Sequence, residues 1–225
     1  MTHRDSAPIT APLTPLSENE RLTLLRLARQ SIECRLMGRP APAPLSMSSP
    51  GAPAQSPTIP VGASALTPRL LAHAGAFVTL HARDGELRGC VGLPFPAQPL
   101  YAAVAEAAPQ AALEDPRFAP VTLDELPTLR IEISVLTPPV DIAELAAPAP
   151  ATPRQIAAAV KPGTHGLLVS QGHRRGLLLP QVATEYGWSA DRFLSETCHK
   201  AGLPGDAWQH GAKIEVFTAE IIDEP

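Results

Sequence analysis

A cysteine inside a glycine-flanked segment is the first feature of this sequence that suggests chemistry. The segment reads Leu87-Arg88-Gly89-Cys90-Val91-Gly92. In an extended strand Arg88 and Cys90 share one face, and a guanidinium beside a thiol favours the thiolate, the form that acts as nucleophile. Glycines inside a strand often mark close approach of a ligand or another backbone. We therefore interpret Cys90 either as a reactive or substrate-contacting residue or as a small core residue, because free cysteine is commonly buried.

Two further charged residues are candidates for the same site. Arg117 follows Asp115 closely, a pattern typical of a turn with an Asx interaction; in the alternative, Arg117 joins Arg88 in an anion-binding cleft. Glu132 lies on the polar side of an alternating apolar segment, where an ordinary carboxylate is solvated. If that face is covered, Glu132 needs a partner, and the sequence offers Arg88 or Arg117.

The histidines and glycines show few recognised ligand motifs. No His-x-x-x-His pair occurs among the seven histidines, and one three-ligand set, His81, Cys90 and His165, has little support from its spacing. We therefore predict no metal site. The glycine patterns of dinucleotide-binding loops, P-loops and nucleophile elbows are also missing, which disfavours those three classes of enzyme.

Composition narrows the class of protein further. The chain has 225 residues, 44% of them apolar, which is enough to bury a sizeable core. Its 18 basic and 22 acidic side chains give a net charge of −4, which disfavours nucleic-acid and anionic-membrane partners. The odd number of cysteines predicts no disulfide framework, and Cys34 and Cys198 lie at helical positions typical of core packing. The sequence has no membrane-spanning apolar run, so we expect a cytoplasmic protein.

The elements of the first half are indicated by capping residues and by periodicity. Ser17 and Glu20 form a capping-box pattern that predicts a helix over 18–37. Turn residues at 83–85 separate two predicted strands of a hairpin, 77–81 and 86–93. Pro99 begins a helix that we expect to break or kink at Pro109, near residue 107. Thr122 and Glu125 cap a short helical turn, and strict alternation over 129–135 predicts a strand with one buried face.

The elements of the second half are predicted from the same capping and turn signals. Thr152 and Pro153 start a helix that extends to 160. A second hairpin is predicted to pair 166–170 with 176–179 around a tip at 171–175. Ser189 caps a helix that ends before Gly202, and residues 213–222 are predicted to form a final strand. Hairpins outnumber strand-helix-strand crossovers, so the predicted fold class is α+β with antiparallel sheet.

Two stretches are predicted to lie outside this core. Residues 1–16 look like a disordered tail, which leaves 17–225 as the domain. The segment at about 39–60 is rich in proline, serine and alanine and has no charged residue between Pro40 and Pro60. Because proline removes a backbone donor and restricts its neighbour, we expect an exposed insertion there.

The segment around Cys90 resembles the six-residue hallmark of the AMMECR domain family, with Val91 where isoleucine is usual. Other segments are similar in order and spacing, and the resemblance extends from about residue 17 to the end of the chain. The departure is the insertion at 39–60, which is longer than the usual connection. The similar segments are 75–80, 115–118, 131–138, 179–183, Trp188, 193–194 and 200–203.

This resemblance implies a fold and a set of site residues. The fold is α+β with two lobes, each an antiparallel β-sheet with helices, and the larger lobe includes both the N- and the C-terminal regions. The hallmark is expected near the groove between the lobes. The site residues carried over as catalytic are Cys90 and Arg88, and those carried over as substrate-binding are Gly89, Gly92, Arg117, Glu132 and His165.

The resemblance also implies partners. Bacterial members look like component A of a system that contains a Memo-type protein, related to metal-dependent ring-opening dioxygenases, and a radical S-adenosylmethionine enzyme. Two functions remain open: catalysis by Cys90, with Arg88 lowering the pKa of the thiol and orienting an anionic group, or a non-catalytic module that binds substrate or docks those partners. The sequence indicates neither a cofactor nor an oligomeric state.

Overall fold

The computed structural model describes residues 14–40, 42, 66–146 and 151–224 of the chain. Most of the predicted insertion and most of the predicted tail therefore lie outside the described residues. Of the tail, 14–16 are described, and Leu16 is buried with its amide donating to the carboxylate of Glu220. The chain divides into a larger unit, Thr14–Leu136 with Glu220–Pro225, and a smaller unit, Thr137–Ala219.

The described elements follow one another along the chain as helices and strands of moderate length. The α-helices are α1 (Glu18–Leu36), α2 (Pro68–Leu71), α3 (Leu100–Leu113), α4 (Ile142–Leu145), α5 (Pro153–Ala159), α6 (Pro180–Glu185) and α7 (Ala190–Lys200). The strands are β1 (Gly75–His81), β2 (Leu87–Leu93), β3 (Arg130–Leu136), β4 (Val140–Asp141), β5 (Gly166–Gln171), β6 (Arg174–Leu178), β7 (Lys213–Phe217) and β8 (Ala219–Asp223).

These strands form two four-stranded sheets, one in each unit. The larger unit has the order β2-β1-β3-β8, and the smaller unit has the order β4-β7-β5-β6. Strand β1 pairs antiparallel with both β2 and β3, and β5 pairs antiparallel with both β6 and β7. The α+β fold class with antiparallel sheets, predicted from the hairpins, is confirmed.

Alternation along the strands builds the core of the larger unit. Val78 and Leu80 of β1 and Ile131 and Ile133 of β3 are fully buried in one cluster with apolar side chains of α1 and α3. Burying such a side chain contributes about 1.5–3 kcal/mol relative to exposure. On the opposite face of β3, Arg130 is exposed and Glu132 is half-buried, as expected, but Ser134 and Leu136 are buried, so the polar face is limited to the first half of the strand.

Local capping signals place the helix starts correctly. The predicted capping box of α1 is present, with the amide of Ser17 donating to Glu20 and the Ser17 hydroxyl accepting from the amide of Glu20. Thr152 and Ser189 also cap α5 and α7 as predicted. Each such cap contributes about 1 kcal/mol to helix stability.

The predicted end of this helix near residue 107 is wrong. Helix α3 continues to Leu113 with Pro109 inside it. Proline removes one backbone hydrogen bond, but Ala107 and Ala108 before it and Ala111 and Ala112 after it are buried in the core. Packing on both sides of the proline therefore keeps the last turn helical.

The single final strand predicted over 213–222 is also wrong. Thr218 separates β7 from β8, and the two strands belong to different sheets. The Thr218 amide donates to the hydroxyl of Thr137 at 2.9 Å, and the Thr137 amide donates to the Thr218 carbonyl at 3.0 Å. The tip of the second hairpin is shorter than expected, because Arg174 and Arg175 belong to β6 and pair with Gln171 and Ser170 of β5.

No helix in the described ranges is both long enough and apolar enough to cross a lipid bilayer.

Candidate functional site

Cys90 lies at one end of a polar row that crosses three strands of the larger unit, with Thr79 in the middle. In the antiparallel register Thr79 of β1 stands opposite Cys90 of β2 on one side and opposite Glu132 of β3 on the other. Directly opposed residues point to the same face of a sheet, so the three side chains share one face. The hydroxyl of Thr79 donates to the sulfur of Cys90 at 3.3 Å. The row therefore gives the thiol an ordered hydrogen-bond donor.

Strand β2 is the edge of its sheet, and its outward-facing amides need partners that the ladder does not supply. The amide of Cys90 donates to Oδ2 of Asp115 at 2.9 Å. Asp115 is buried, and it also accepts from the amide, Nε and Nη2 of Arg117 at 3.1, 2.9 and 2.6 Å. One carboxylate thus ties the edge strand to the loop that follows α3.

The four hydrogen bonds determine the electrostatics of this carboxylate. The Arg117 guanidinium, followed by the amides of Cys90 and Arg117, holds the pKa of Asp115 well below its usual range in spite of burial. The same interaction raises the pKa of Arg117. The turn interaction predicted for Asp115 and Arg117 is confirmed, and it is stronger than an Asx turn alone because it includes the ion pair.

A β-bulge positions Arg88. Leu80 stands opposite Gly89 and His81 stands opposite Leu87, so Arg88 is the extra residue on β2. Bulges re-aim side chains. Nε and Nη2 of Arg88 donate to the two carboxylate oxygens of Glu125 at 2.6 and 3.0 Å. Arg88 therefore reaches a partner beyond the sheet edge.

An aromatic ring lies near both guanidinium groups. The Cζ atoms of Arg88 and Arg117 lie 6.0 and 5.4 Å from the centroid of Phe118. Such cation–π geometry is worth about 0.5–1 kcal/mol at exposed positions. Arg88 and Arg117 therefore both lie near Phe118, and each is paired with its own carboxylate.

The electrostatics of the thiol differ from the sequence expectation. Burial raises the pKa of Cys90, while the Thr79 hydrogen bond and the charge of Arg117 lower it less, and Asp115 and Glu132 add to the increase. Arg88 instead donates to Glu125, and the pKa of the thiol is raised rather than lowered. The expectation that Arg88 favours the thiolate is wrong, because the bulge directs its charge to Glu125.

Glu132 is half-buried, and its partner is a histidine. Oε2 of Glu132 lies 3.6 Å from Nε2 of His81, and each side chain is about one-fifth exposed. The sequence alternatives were solvation or pairing with Arg88 or Arg117, and neither arginine makes this contact. Burial of the face, rather than the local sequence, creates the need for a partner.

The two glycines carried over as substrate-binding lie in tight packing environments. A Cβ on Gly89 would lie 2.1 Å from the carbonyl oxygen of Ala111 in α3. A Cβ on Gly92 would lie 2.2 Å from the ring of Phe77. A glycine inside a strand was expected to mark the close approach of a ligand or of another backbone, and at Gly89 the neighbour is the backbone of α3.

His165 belongs to the smaller unit and is not part of the polar row. Its Nδ1 accepts from the amide of Lys161 at 3.2 Å, and burial followed by the charge of Lys161 lowers the pKa of the ring. No cluster of three metal-ligating side chains is present in the part of the chain that the structure describes. Cys34 and Cys198 are buried, as predicted from their helical positions.

No local pattern in the sequence predicted Thr79, Glu125 or Ser134 as site residues. Glu125 was noted only as a capping partner of Thr122, a contact that is present at 3.2 Å. Thr79 is predictable from the strand register, since it is the residue opposite Cys90. Predicting the register of a hairpin requires accurate strand ends, and the sequence locates these only roughly. Three side-chain atoms of this region are buried and have no hydrogen-bond partner among the described residues: His81 Nε2, Arg88 Nη1 and Ser134 Oγ.

The fold and the site together define an α+β protein with two antiparallel sheets, in which an edge strand carries an Arg-Gly-Cys-Val-Gly segment stapled to a buried aspartate. The family model AMMECR1 matches residues 25–222. The chain belongs to the AMMECR1 family.

Relatives from archaea support this assignment. A protein of Methanothermobacter thermautotrophicus is 41% identical over 211 residues, which cover 93% of this chain and 97% of that protein. A protein of Methanocaldococcus jannaschii is 47% identical over 152 residues, 67% of this chain and 73% of that protein. The crystal structure of an uncharacterized protein from Pyrococcus horikoshii matches with a TM-score of 0.71 and 41% identity over 89% of each chain.

Proposed function

We propose that this protein is a binding component rather than a cysteine enzyme, and that the polar face around Cys90 holds a ligand or docking segment. The observation that carries the proposal is that both neighbouring guanidinium groups already hold carboxylates while burial raises the pKa of the thiol. A nucleophilic cysteine needs the thiolate at working pH. Burial therefore disfavours the thiolate of Cys90.

The same face has unused capacity for hydrogen bonds. Arg88 and Ser134 each have a buried polar atom without a hydrogen-bond partner among the described residues, and Nε2 of His81 has Glu132 at 3.6 Å but no hydrogen bond. A buried polar atom without a partner costs about 1–3 kcal/mol, so a ligand that supplies complementary groups recovers that free energy. This supports recognition of a polar partner at the row of Cys90, Thr79 and Glu132.

The family resemblance suggests which proteins are involved. In this proposal the chain acts with a Memo-type protein and a radical S-adenosylmethionine enzyme, and presents a substrate or a docking surface to them. Arg117 and Glu132 contribute to this surface together with Arg88.

Catalysis by Cys90 is the second candidate, and one contact favours it. The Thr79 hydroxyl donates to the sulfur, and a donor to sulfur stabilises a thiolate once it forms. A substrate that displaces Glu125 from Arg88 would leave a guanidinium near the thiol. The two functions differ in the ionisation of Cys90 and in the consequence of removing its sulfur.

The alkylation rate of Cys90 by iodoacetamide across pH separates the two candidates. In a Cys34→Ala/Cys198→Ala background we expect an apparent pKa above the ordinary value of about 8.5 and slow labelling at neutral pH. Thr79→Val should raise this pKa further, because the hydroxyl of Thr79 lowers it in the native protein. An apparent pKa below neutrality with rapid native-state labelling would support catalysis and contradict the binding proposal.

Affinity for the partners tests the binding function directly. Each purified partner, the Memo-type protein and the radical enzyme, is titrated with the chain by calorimetry. We expect Glu132→Gln to weaken binding about tenfold, equivalent to about 1.4 kcal/mol, and Cys90→Ser to leave affinity nearly unchanged.

Arg35→Gln is the matched control, because it removes an exposed ion pair with Glu114 in the same unit. No measurable association with either partner, or equal loss in Glu132→Gln and in this control, would contradict a docking role. Intact affinity combined with loss of the system's activity in Cys90→Ser would favour catalysis.

A further inference from the structure

Two neighbouring segments of the chain connect the larger unit to the smaller one. Within the described ranges the chain passes between the units after Leu136 and again after Ala219. In the larger unit β3 lies beside β8, and the amide of Glu224 donates to the carbonyl of Ile131. In the smaller unit β4 pairs antiparallel with β7. Both connections therefore belong to one two-stranded antiparallel ribbon, residues 131–141 and 215–224, which we call the connecting ribbon.

The ladder of the connecting ribbon is interrupted at two consecutive prolines, residues 138–139. Thr137 lies opposite Thr218, whereas Val140 lies opposite Val216, so the first strand has one residue more than its partner between these pairs. Such an extra residue is a β-bulge, which disrupts the ladder locally and bends the strand. Proline has no N–H, so this strand donates no backbone hydrogen bond over the two residues that follow Thr137.

The last ladder contact before the prolines is completed by a side chain. The amide of Thr137 donates to the carbonyl of Thr218 at 3.0 Å, and the amide of Thr218 donates to Oγ1 of Thr137 at 2.9 Å. In a regular hydrogen-bonded pair of antiparallel strands both acceptors are backbone carbonyls. Here one acceptor is the hydroxyl of a half-buried residue. A single substitution can therefore remove this hydrogen bond without changing the backbone.

Each unit has an apolar core of its own, with Ile133 in the cluster of the larger unit and Val169 in the cluster of the smaller unit. Compact units with separate cores commonly move relative to one another, and hinges are a few residues at element ends that absorb changes in φ and ψ. We propose that Thr137, Thr218 and residues 138–139 form a hinge about which the two units reorient, and that the hydroxyl of Thr137 restrains this motion. The hinge does not depend on the ligand proposed for the face around Cys90.

Residual dipolar couplings of the backbone amides in the full chain test the hinge. A lanthanide tag on Arg83→Cys, an exposed position in the larger unit, aligns that unit directly. Cys90→Ser leaves the tag a single accessible thiol, because Cys34 and Cys198 are buried. Rigidly joined units share one alignment tensor, whereas reorientation reduces the tensor of the untagged unit. We expect a reduced tensor in the smaller unit and a further reduction in Thr137→Val.

Hydrogen exchange of the Thr218 amide reports on the restraint itself. Thr137→Val removes the acceptor of this amide, and we expect its exchange to accelerate about tenfold, the factor that corresponds to one hydrogen bond. The amides of Ile133 and Val169 should keep their rates. Thr137→Ser retains the hydroxyl and should match the wild type. Thr23→Val is the matched control, because it removes a hydroxyl that donates within α1.

Each outcome decides one part of the proposal. Equal tensors for the two units of the wild type would overturn the hinge, whether or not Thr137→Val folds. An unchanged ratio of tensors in Thr137→Val, or the same reduction in Thr137→Ser or in Thr23→Val, would overturn the restraining role of the Thr137 hydroxyl.

Discussion

Replacing Asp115 by asparagine is expected to lower the free energy of unfolding by about 3 kcal/mol at neutral pH. The carboxylate accepts from the edge-strand amide of Cys90 and three times from Arg117. An asparagine amide turns an NH₂ group toward one of these donors, so at least one buried hydrogen bond is lost. Arg117 itself is 55% exposed, and water rehydrates it, which limits the cost to less than that of a fully buried ion pair.

The pH dependence of this loss follows from the sign of the shift. The pKa of Asp115 is lowered in the folded protein, so its contribution is complete above the unfolded value of about 3.9 and is lost as pH falls toward the folded pKa. Urea unfolding should show a constant difference between wild type and Asp115→Asn from pH 7 to about 5. The difference should narrow below about pH 4.

Asp223→Asn is the control for this variant. It removes an exposed carboxylate that pairs with Arg130 at 3.0 Å in the same unit, and such pairs contribute about 0–1 kcal/mol. Equal losses in Asp115→Asn and Asp223→Asn would show that the staple between the edge strand and the loop adds nothing to stability.

Replacing Gly89 by alanine is expected to cost about 3 kcal/mol or more, at the upper end of the range for overpacked cores. The added carbon would lie 2.1 Å from the carbonyl oxygen of Ala111. The obstacle is backbone in the last turn of α3, so no side-chain rotation relieves it. Strand β2 and helix α3 must separate, and the buried face between them loses contact.

Gly85→Ala provides the comparison. Gly85 has a φ of +87° and open space around an added Cβ, so its substitution meets backbone strain alone, about 1–2 kcal/mol. Urea midpoints of the two variants give the difference in free energy. A Gly89→Ala protein that keeps its stability but loses affinity for its partners would instead restore Gly89 as a substrate-binding residue.

Local signals explain why much of the fold is predictable from the sequence. The capping box at Ser17, the cap at Thr152 and the alternation of 129–135 each involve residues close along the chain, so their patterns correspond directly to α1, α5 and β3. Cys198 on its apolar helical stripe is likewise buried, and so is Cys34 on α1. These predictions required no knowledge of long-range packing.

The site is less predictable because its contacts are distant in sequence. Arg88 and Glu125 are 37 residues apart, and Cys90 and Asp115 are 25 apart. Pairing of charges across such separations depends on register and on the bulge opposite Leu80 and His81. A local pattern placed a cation beside the thiol, whereas tertiary structure paired that cation elsewhere and raised the pKa of Cys90.

The α+β class, the starts of α1, α3, α5 and α7, the main hairpins and the segment that carries Cys90 are predictable from the sequence, because hydrogen bonds and periodicity within a few residues specify them. Three other features arise only from tertiary packing: Pro109 remains inside a helix, Thr218 divides two strands between two sheets, and Gly89 faces a helix backbone. Each of these outcomes depends on burial against a distant element, and its free energy outweighs the local preference.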